Sequence, residues 1–317
     1  MSEGLDERYR RFADDEARGH SPLYEAMARG VAGDREMLGF LLGLPPDKRQ
    51  PNLFFAAARH VAGTPADFAD FRAKVLANKR AVAAAMRARR TQTNEPGRCA
   101  VLLPILARLH EPLALIEVGA SAGLCLTPDR YAYDYGAGRV GDPRGPVFPC
   151  RVLGGAPAPT RVPRIAWRAG LDLDPVDPTD PDDAGWLETL VWPEHADRLA
   201  RLRAALAIAA DFPRIVRRGD LTGNLDAILD DAPQAATVVV FHSAVLGYVA
   251  GQDARDAFAV NLAYRGAVWI GNETPRVFPW IAERAKRPGP PGAFLLHVNG
   301  EPMAWTDPHG AWIDWIA

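Results

Sequence analysis

The sequence predicts an α/β protein in two parts, an all-helical N-terminal domain over residues 1–95 followed by a parallel sheet covered by helices over 96–317. Three observations carry that expectation. Apolar residues recur at helical spacing between about residues 6 and 90, as in Tyr9, Phe12, Ala13 and Ala17 and again in Met37, Leu38 and Leu41. Beyond residue 114, short apolar runs alternate with helical stretches, the pattern of strands and crossover helices in a parallel sheet. The first such run, Leu115-Ile116-Glu117-Val118, ends in the glycine-containing turn Gly119-Ala120-Ser121-Ala122-Gly123.

In the first part, Ser21-Pro22 before Leu23 reads as an N-cap followed by proline at the first helical position. Gly43 and Pro45-Pro46 close the next helix, and Pro51-Asn52 opens another. Residues 68–90 are rich in alanine and arginine, with Phe71, Val75, Val82 and Met86 forming the apolar stripe and the basic residues a solvated face. The polar stretch Thr91-Gln92-Thr93-Asn94-Glu95-Pro96-Gly97 is the domain boundary.

In the second part, residues 98–109 read as a helix and 114–118 as the first strand. Further strands are expected at 164–173, 214–219, 237–241, 267–272 and 293–298, with helical stretches at 186–210, 225–229 and 255–264 between them. Residues 131–163 are dense in Gly and Pro with little periodicity and read as an insertion, a lid. The tail, 294–315, reads as two strands joined through Asp307-Pro308-His309-Gly310, a terminal antiparallel hairpin.

Composition excludes several function classes. A chain of 317 residues with 48% hydrophobic content can bury a substantial core. Its 37 Lys and Arg nearly balance 39 Asp and Glu, so no bulk field draws it onto nucleic acid or an anionic membrane, and a small-molecule substrate is expected. The start of the chain lacks the basic and apolar segments of a secretory signal, and no apolar run reaches the roughly 20 residues of a membrane span. Cys99, Cys125 and Cys150 are widely spaced without a CxxC pair, which fits a cytoplasmic location. The seven histidines are scattered and there is no HExxH, so no metal is expected.

A strand, a tight glycine turn and a helix present free backbone N–H groups to a polar ligand. In S-adenosylmethionine enzymes the corresponding loop is acidic-x-Gly-x-Gly-x-Gly. Here Glu117 fills the acidic place, Gly119 the sharp turn and close cofactor approach, and Gly123 the packing of helix on strand, while Ser121 stands where the middle glycine usually does. The same residues satisfy Gly-x-Ser-x-Gly, the nucleophile elbow of α/β-hydrolases, with Asp253 and His297 available to complete a triad. Such a hydrolase places several strands before its elbow, and here the preceding residues read as helical.

Acidic residues recur at later strand ends. Asp172, in Gly170-Leu171-Asp172-Leu173-Asp174-Pro175, is the candidate for the ribose hydroxyls, with Asp134 in Tyr133-Asp134-Tyr135 as the alternative. Asp220, after Arg218-Gly219, is placed to accept from an adenine amino group, and also suits a helix cap. His242 and Glu273, at the ends of the next two strands, are candidates for an acid–base pair that removes the acceptor proton. Asn94, Glu95 and Arg98 sit in the loop before the sheet, where Arg98 is a candidate partner for the methionine carboxylate and equally a surface arginine.

Together, Thr91-Gln92-Thr93-Asn94-Glu95, the Glu117–Leu124 loop, Gly170-Leu171-Asp172-Leu173-Asp174-Pro175, Val191-Trp192-Pro193-Glu194, Arg218-Gly219-Asp220 and Phe241-His242-Ser243-Ala244-Val245-Leu246 resemble a bacterial family, domain of unknown function 2332. The resemblance covers nearly the whole chain and implies a cytoplasmic protein with a methyltransferase-like Rossmann domain. The function expected is S-adenosylmethionine-dependent methyl transfer to a small molecule, with a serine hydrolase built on Ser121 and a non-catalytic module for a nucleotide-type ligand as alternatives. Oligomeric state is left open.

Overall fold

Capping residues and prolines set where the helices of the first part begin. The computed structural model describes residues 4–155, 158–212, 215–221 and 223–317. Ser21 Oγ accepts the Tyr24 N–H at 3.1 Å at the start of the helix Pro22–Gly33, and Asp34 Oδ1 accepts from Glu36 and Met37 at the start of Arg35–Leu42. Pro51 opens Pro51–Ala62, and the stretch 68–90 is broken at Asn78 into Phe68–Ala77 and Lys79–Ala88. Tyr9, Tyr24, Phe54, Phe55 and Phe71 are buried at the centre of these helices.

The chain divides into two compact units, Met1–Thr93 with Asp180–Ala200, and Asn94–Thr179 with Arg201–Ala317. The sequence predicts a second part running without interruption from 96 to 317, with 186–210 as one helical stretch. In the structure that stretch holds two helices, Pro181–Leu190 and Ala196–Ala210, and its first portion belongs to the helical unit. Pro193 accounts for the break, since it has no N–H for a helix bond and disfavours helical backbone at Trp192. The Arg59 guanidinium ties 180–200 to the other helices by donating to Tyr24 Oη (3.0 Å) and to the carbonyls of Thr189 (2.9 Å) and Val191 (2.7 Å).

The second unit is α/β with a large, mostly parallel sheet. Its strands are β1 (Leu113–Val118), β2 (Ala132–Asp134), β3 (Arg139–Gly141), β4 (Val147–Pro149), β5 (Arg151–Leu153), β6 (Ile165–Asp172), β7 (Val216–Arg218), β8 (Thr237–Ser243), β9 (Val268–Glu273), β10 (Phe294–Val298), β11 (Glu301–Thr306) and β12 (Trp312–Trp315). The nine-stranded sheet runs β5-β12-β11-β10-β9-β8-β1-β6-β7. Strands β7, β6, β1, β8 and β9 are mutually parallel, and β10, β11 and β12 follow as an antiparallel meander. Numbered in chain order, the five parallel strands read 3-2-1-4-5, so the order reverses between β1 and β8, and ligands of such sheets bind at the carboxyl ends flanking that point. On one face Ile116, Val118, Leu171, Val240 and Trp269 pack with Leu225, Ile228, Phe258 and Leu262.

Three expectations are revised here. No α-helix follows the glycine turn: Gly123 leads into two 3₁₀ turns, Leu124–Leu126 and Pro128–Arg130. The insertion is not a loose lid over its first part, where β3-β2-β4 form a small sheet whose Tyr131, Tyr133 and Phe148 are fully buried. The Tyr131 and Tyr133 hydroxyls donate to the carbonyls of Leu124 and Pro128, each at 2.7 Å, while β5 pairs with β12 in the main sheet. The tail contains three strands rather than two, with Asn299-Gly300 turning β10 into β11 before the expected turn at 307–310. The third expected strand, 214–219, appears as β7; residue 214 lies outside the described residues. Among the described residues no helix is long and apolar enough to cross a membrane.

Candidate functional site

Beyond the carboxyl end of β1, residues 119–123 form a loop closed by its own hydrogen bonds. The N–H groups of Gly119 and Ala120 donate to the Leu171 carbonyl (2.8 and 3.2 Å), and that of Gly123 to Ala120 (2.7 Å). Ser121 N–H donates to Asp172 Oδ2 at 2.7 Å and Ala122 N–H to Asn94 Oδ1 at 3.3 Å. Every backbone donor of the loop therefore has a partner, and no helix N-terminus stands behind it. The expected cradle of free N–H groups is absent because these donors are spent on β6, on Asn94 and within the loop itself. Three of the five residues are left-handed, Gly119 (φ 76°), Ser121 (φ 48°) and Gly123 (φ 73°). Gly119 makes room for protein: a Cβ there would lie 2.2 Å from Val245 Cγ2.

Side-chain carboxylates, unlike N–H groups, are abundant at this edge. Glu117 alternates away from Ile116 and Val118 on β1 and is buried, and its Oε2 has no hydrogen-bond partner. Burial holds the Glu117 carboxyl well above the ordinary carboxylate range; Cys125 adds to the rise, the Arg98 guanidinium opposes it, and Asp172 adds further. Asp172, half-buried at the end of β6, accepts from Ser121 through one oxygen and from the Asp174 N–H (2.8 Å) through the other. Asp220 is exposed in the turn after β7, where its N–H donates to Asn224 Oδ1 at 2.9 Å. Asp134 belongs to the small sheet, at the end of β2, and not to this edge.

Arg98 is buried in the short turn Pro96–Arg98, so it is not the surface arginine that sequence allows. Its Nε donates to the Pro308 carbonyl at 2.9 Å and its Nη1 to Ser243 at 3.0 Å, joining the end of β8 to the β11–β12 turn.

The structure brings His242 and Glu273 together, at 2.8 Å between Nδ1 and Oε1, but encloses them. Trp269 Nε1–H donates to His242 Nε2 at 2.9 Å, and the ring is 0% exposed. Glu273 Oε1 also accepts the N–H groups of Val245 (2.9 Å) and Leu246 (3.0 Å), holding the turn after β8. With both ring nitrogens engaged in the core, His242 has the surroundings of a structural residue, and the general-base role does not follow from this geometry. Neither Trp269 as its lid nor Val245 as the filler over Gly119 is signalled by local sequence.

Nor are the triad candidates assembled. His297 lies on β10, which β8 and β9 separate from β1, a distance of roughly 14 Å at about 4.8 Å per strand. Asp253 is exposed in the first turn of the helix Gln252–Tyr264, and the neighbour of Ser121 Oγ is Asn94 Nδ2, at 2.9 Å. His297 is 2% exposed with neither ring nitrogen hydrogen-bonded, and burial, then the nearby His242, holds its pKa well below the usual imidazole range. Among the described residues no group of three His, Cys, Asp or Glu side chains is placed to hold a metal ion, and Cys99, Cys125 and Cys150 are buried free thiols.

A family model described as an uncharacterized protein conserved in bacteria (DUF2332) matches residues 6–315. No curated protein and no solved structure matches the chain. The match spans both units, and the chain belongs to the DUF2332 family of bacterial proteins.

Proposed function

We propose that the sheet unit binds S-adenosylmethionine at the carboxyl ends of β1, β6 and β7 and directs methyl transfer to a small-molecule acceptor. The observation that carries this reading is Glu117, a buried carboxyl with an unpartnered Oε2 beside the point where strand order reverses. A phosphate-bearing dinucleotide needs free N–H donors, and the 119–123 loop has none to offer. A ligand that carries positive charge and hydroxyl groups suits this carboxylate-lined edge.

In this reading Glu117 receives the ammonium end, Asp172 accepts from ribose hydroxyls with its remaining lone pairs, and Asp220 accepts from the adenine amino group. The bound sulfonium supplies an electrophilic methyl group. The chain contributes alignment and exclusion of water, a proximity effect. His242 and Glu273 act indirectly, by holding the turn that puts Val245 against Gly119.

Calorimetric titration with S-adenosylmethionine and S-adenosylhomocysteine tests the proposal, and absence of heat at millimolar ligand would overturn it. Binding without turnover of any small acceptor would leave a ligand-binding module. Asp172→Ala should weaken binding by about 1–3 kcal/mol through lost charge-assisted hydrogen bonds and the released loop. The left-handed backbone of Ser121 favours the nucleophile-elbow reading, although Asn94 and not a histidine sits beside the hydroxyl. A fluorophosphonate probe separates the two: labelling of the chain that Ser121→Ala abolishes would establish the hydrolase, and an unlabelled chain removes it.

A further inference from the structure

Beyond β9, on the same edge of the sheet as Glu117 and Asp172, lies a cleft of about 660 Å³. Small-molecule sites commonly span roughly 300–1,000 Å³. Its walls are Thr274-Pro275-Arg276, which continue directly from β9, the loop 287–293, and Trp305 of β11. Register explains the grouping: Leu295 of β10 pairs with both Glu273 and Trp305, so the end of β9, the start of β10 and the end of β11 meet in one row.

The cleft has one sign of charge. Among the described residues, Arg276 and Arg287 line it and no acidic residue does. Arg287 is paired with Asp314, at 2.6 Å, whereas Arg276 makes no hydrogen bond or ion pair with any described residue. The remaining walls are flat and apolar. Trp305 Nε1–H donates to the Arg287 carbonyl at 3.0 Å, which fastens the loop Pro288-Gly289-Pro290 against the indole. Gly289 permits that contact, since a Cβ would lie 2.4 Å from the Trp305 ring. Two prolines with fixed φ and a pinned backbone give a wall formed before any ligand arrives.

We propose that this cleft seats an organic anion, a carboxylate held by Arg276 with a flat apolar body lying against the proline loop. The register sets Glu273, Leu295 and Trp305 on the sheet face of Val118, opposite Glu117. The anion site stands without the methyl-transfer reading.

The test uses the full chain without S-adenosylmethionine, with 2-naphthoate as the anionic probe and 2-naphthamide as its uncharged counterpart, followed by calorimetry or probe fluorescence. Saturable binding of one naphthoate per chain is expected, weakened roughly tenfold by Arg276→Gln, with naphthamide indifferent to that change. Arg265→Gln, which disturbs only the exposed pairs with Asp226 and Asp230, should leave naphthoate binding unchanged. Gly289→Ala should weaken both probes. No saturable naphthoate binding, or equal binding by Arg276→Gln, overturns the site. Naphthoate binding with no S-adenosylmethionine binding sinks the methyl-transfer reading alone, and the reverse result sinks the anion cleft alone.

Discussion

Glu117 carries a carboxyl into a place where the neutral form is favoured, and that fixes how a cationic ligand must interact with it. Burial raises its pKa well above the ordinary range, so the free protein holds the proton further up the pH scale than an exposed glutamate does. A cation beside Oε2 favours the ionised form and lowers that pKa again. Binding therefore releases a proton, and affinity for S-adenosylmethionine should rise with pH until the free carboxyl is ionised. Calorimetry in two buffers of different ionisation enthalpy measures the release, and Glu117→Gln should abolish both it and the pH dependence; a pH-independent affinity would remove Glu117 from the site. His297 acts in the opposite sense and on stability. Its pKa is held well below the usual value in the folded chain, so its neutral ring is compatible with folding above about pH 6.5 and the unfolded chain takes up the proton first as pH falls. Stability should fall from pH 6.5 downward by at most about 1.4 kcal/mol per pH unit from this group. Urea midpoints at pH 5 and 7.5 should converge in His297→Leu; an undiminished gap would assign the acid sensitivity to other groups.

At the scale of elements, the 119–123 loop is held by β6 and by Val245. Gly119→Ala combines a left-handed backbone with a Cβ 2.2 Å from Val245 Cγ2, and should destabilise the unit by about 1–3 kcal/mol. Adding Val245→Ala should recover part of that loss, because it relieves the clash and not the backbone strain; strictly additive effects in urea unfolding would mean that the two residues do not meet. The strands were legible because their runs are apolar and bounded by glycine, proline or charge: 237–241 became Thr237–Ser243, and 267–272 became Val268–Glu273. The loop's hydrogen bonds were not, since Asp172 and Asn94 lie 51 and 28 residues from the N–H groups they accept. A Gly-x-Ser-x-Gly pattern reports a tight turn after a strand. Whether its donors stay free depends on such distant partners. The aromatic insertion is hidden for a related reason: Gly and Pro frequency masks the alternation of Tyr131, Tyr133 and Tyr135, of which only Tyr133 lies within the three-residue strand β2.

At the scale of the chain, the helical character of the first part and the sheet of the second were both readable, but the return of 180–200 to the helical unit was not. Periodicity identifies Trp186 and Leu187 as core residues without saying whose core. The answer lies in contacts such as the Trp186 indole donating to the Arg90 carbonyl at 3.0 Å and Arg59 reaching Thr189 and Val191. A fragment beginning at residue 94 would keep the nine-stranded sheet and lose the helices that cover Trp186, Leu187 and Val191. It should be poorly soluble and bind a hydrophobic dye, and co-expression of residues 1–93 as a separate chain should restore solubility by burying the same side chains. Arg59→Ala in the fragment pair should weaken that rescue, because it leaves the buried Val191 carbonyl and the half-buried Thr189 carbonyl without this donor. Soluble, cooperatively melting 94–317 on its own would show that 180–200 folds with the sheet unit, as its position in the sequence first suggests.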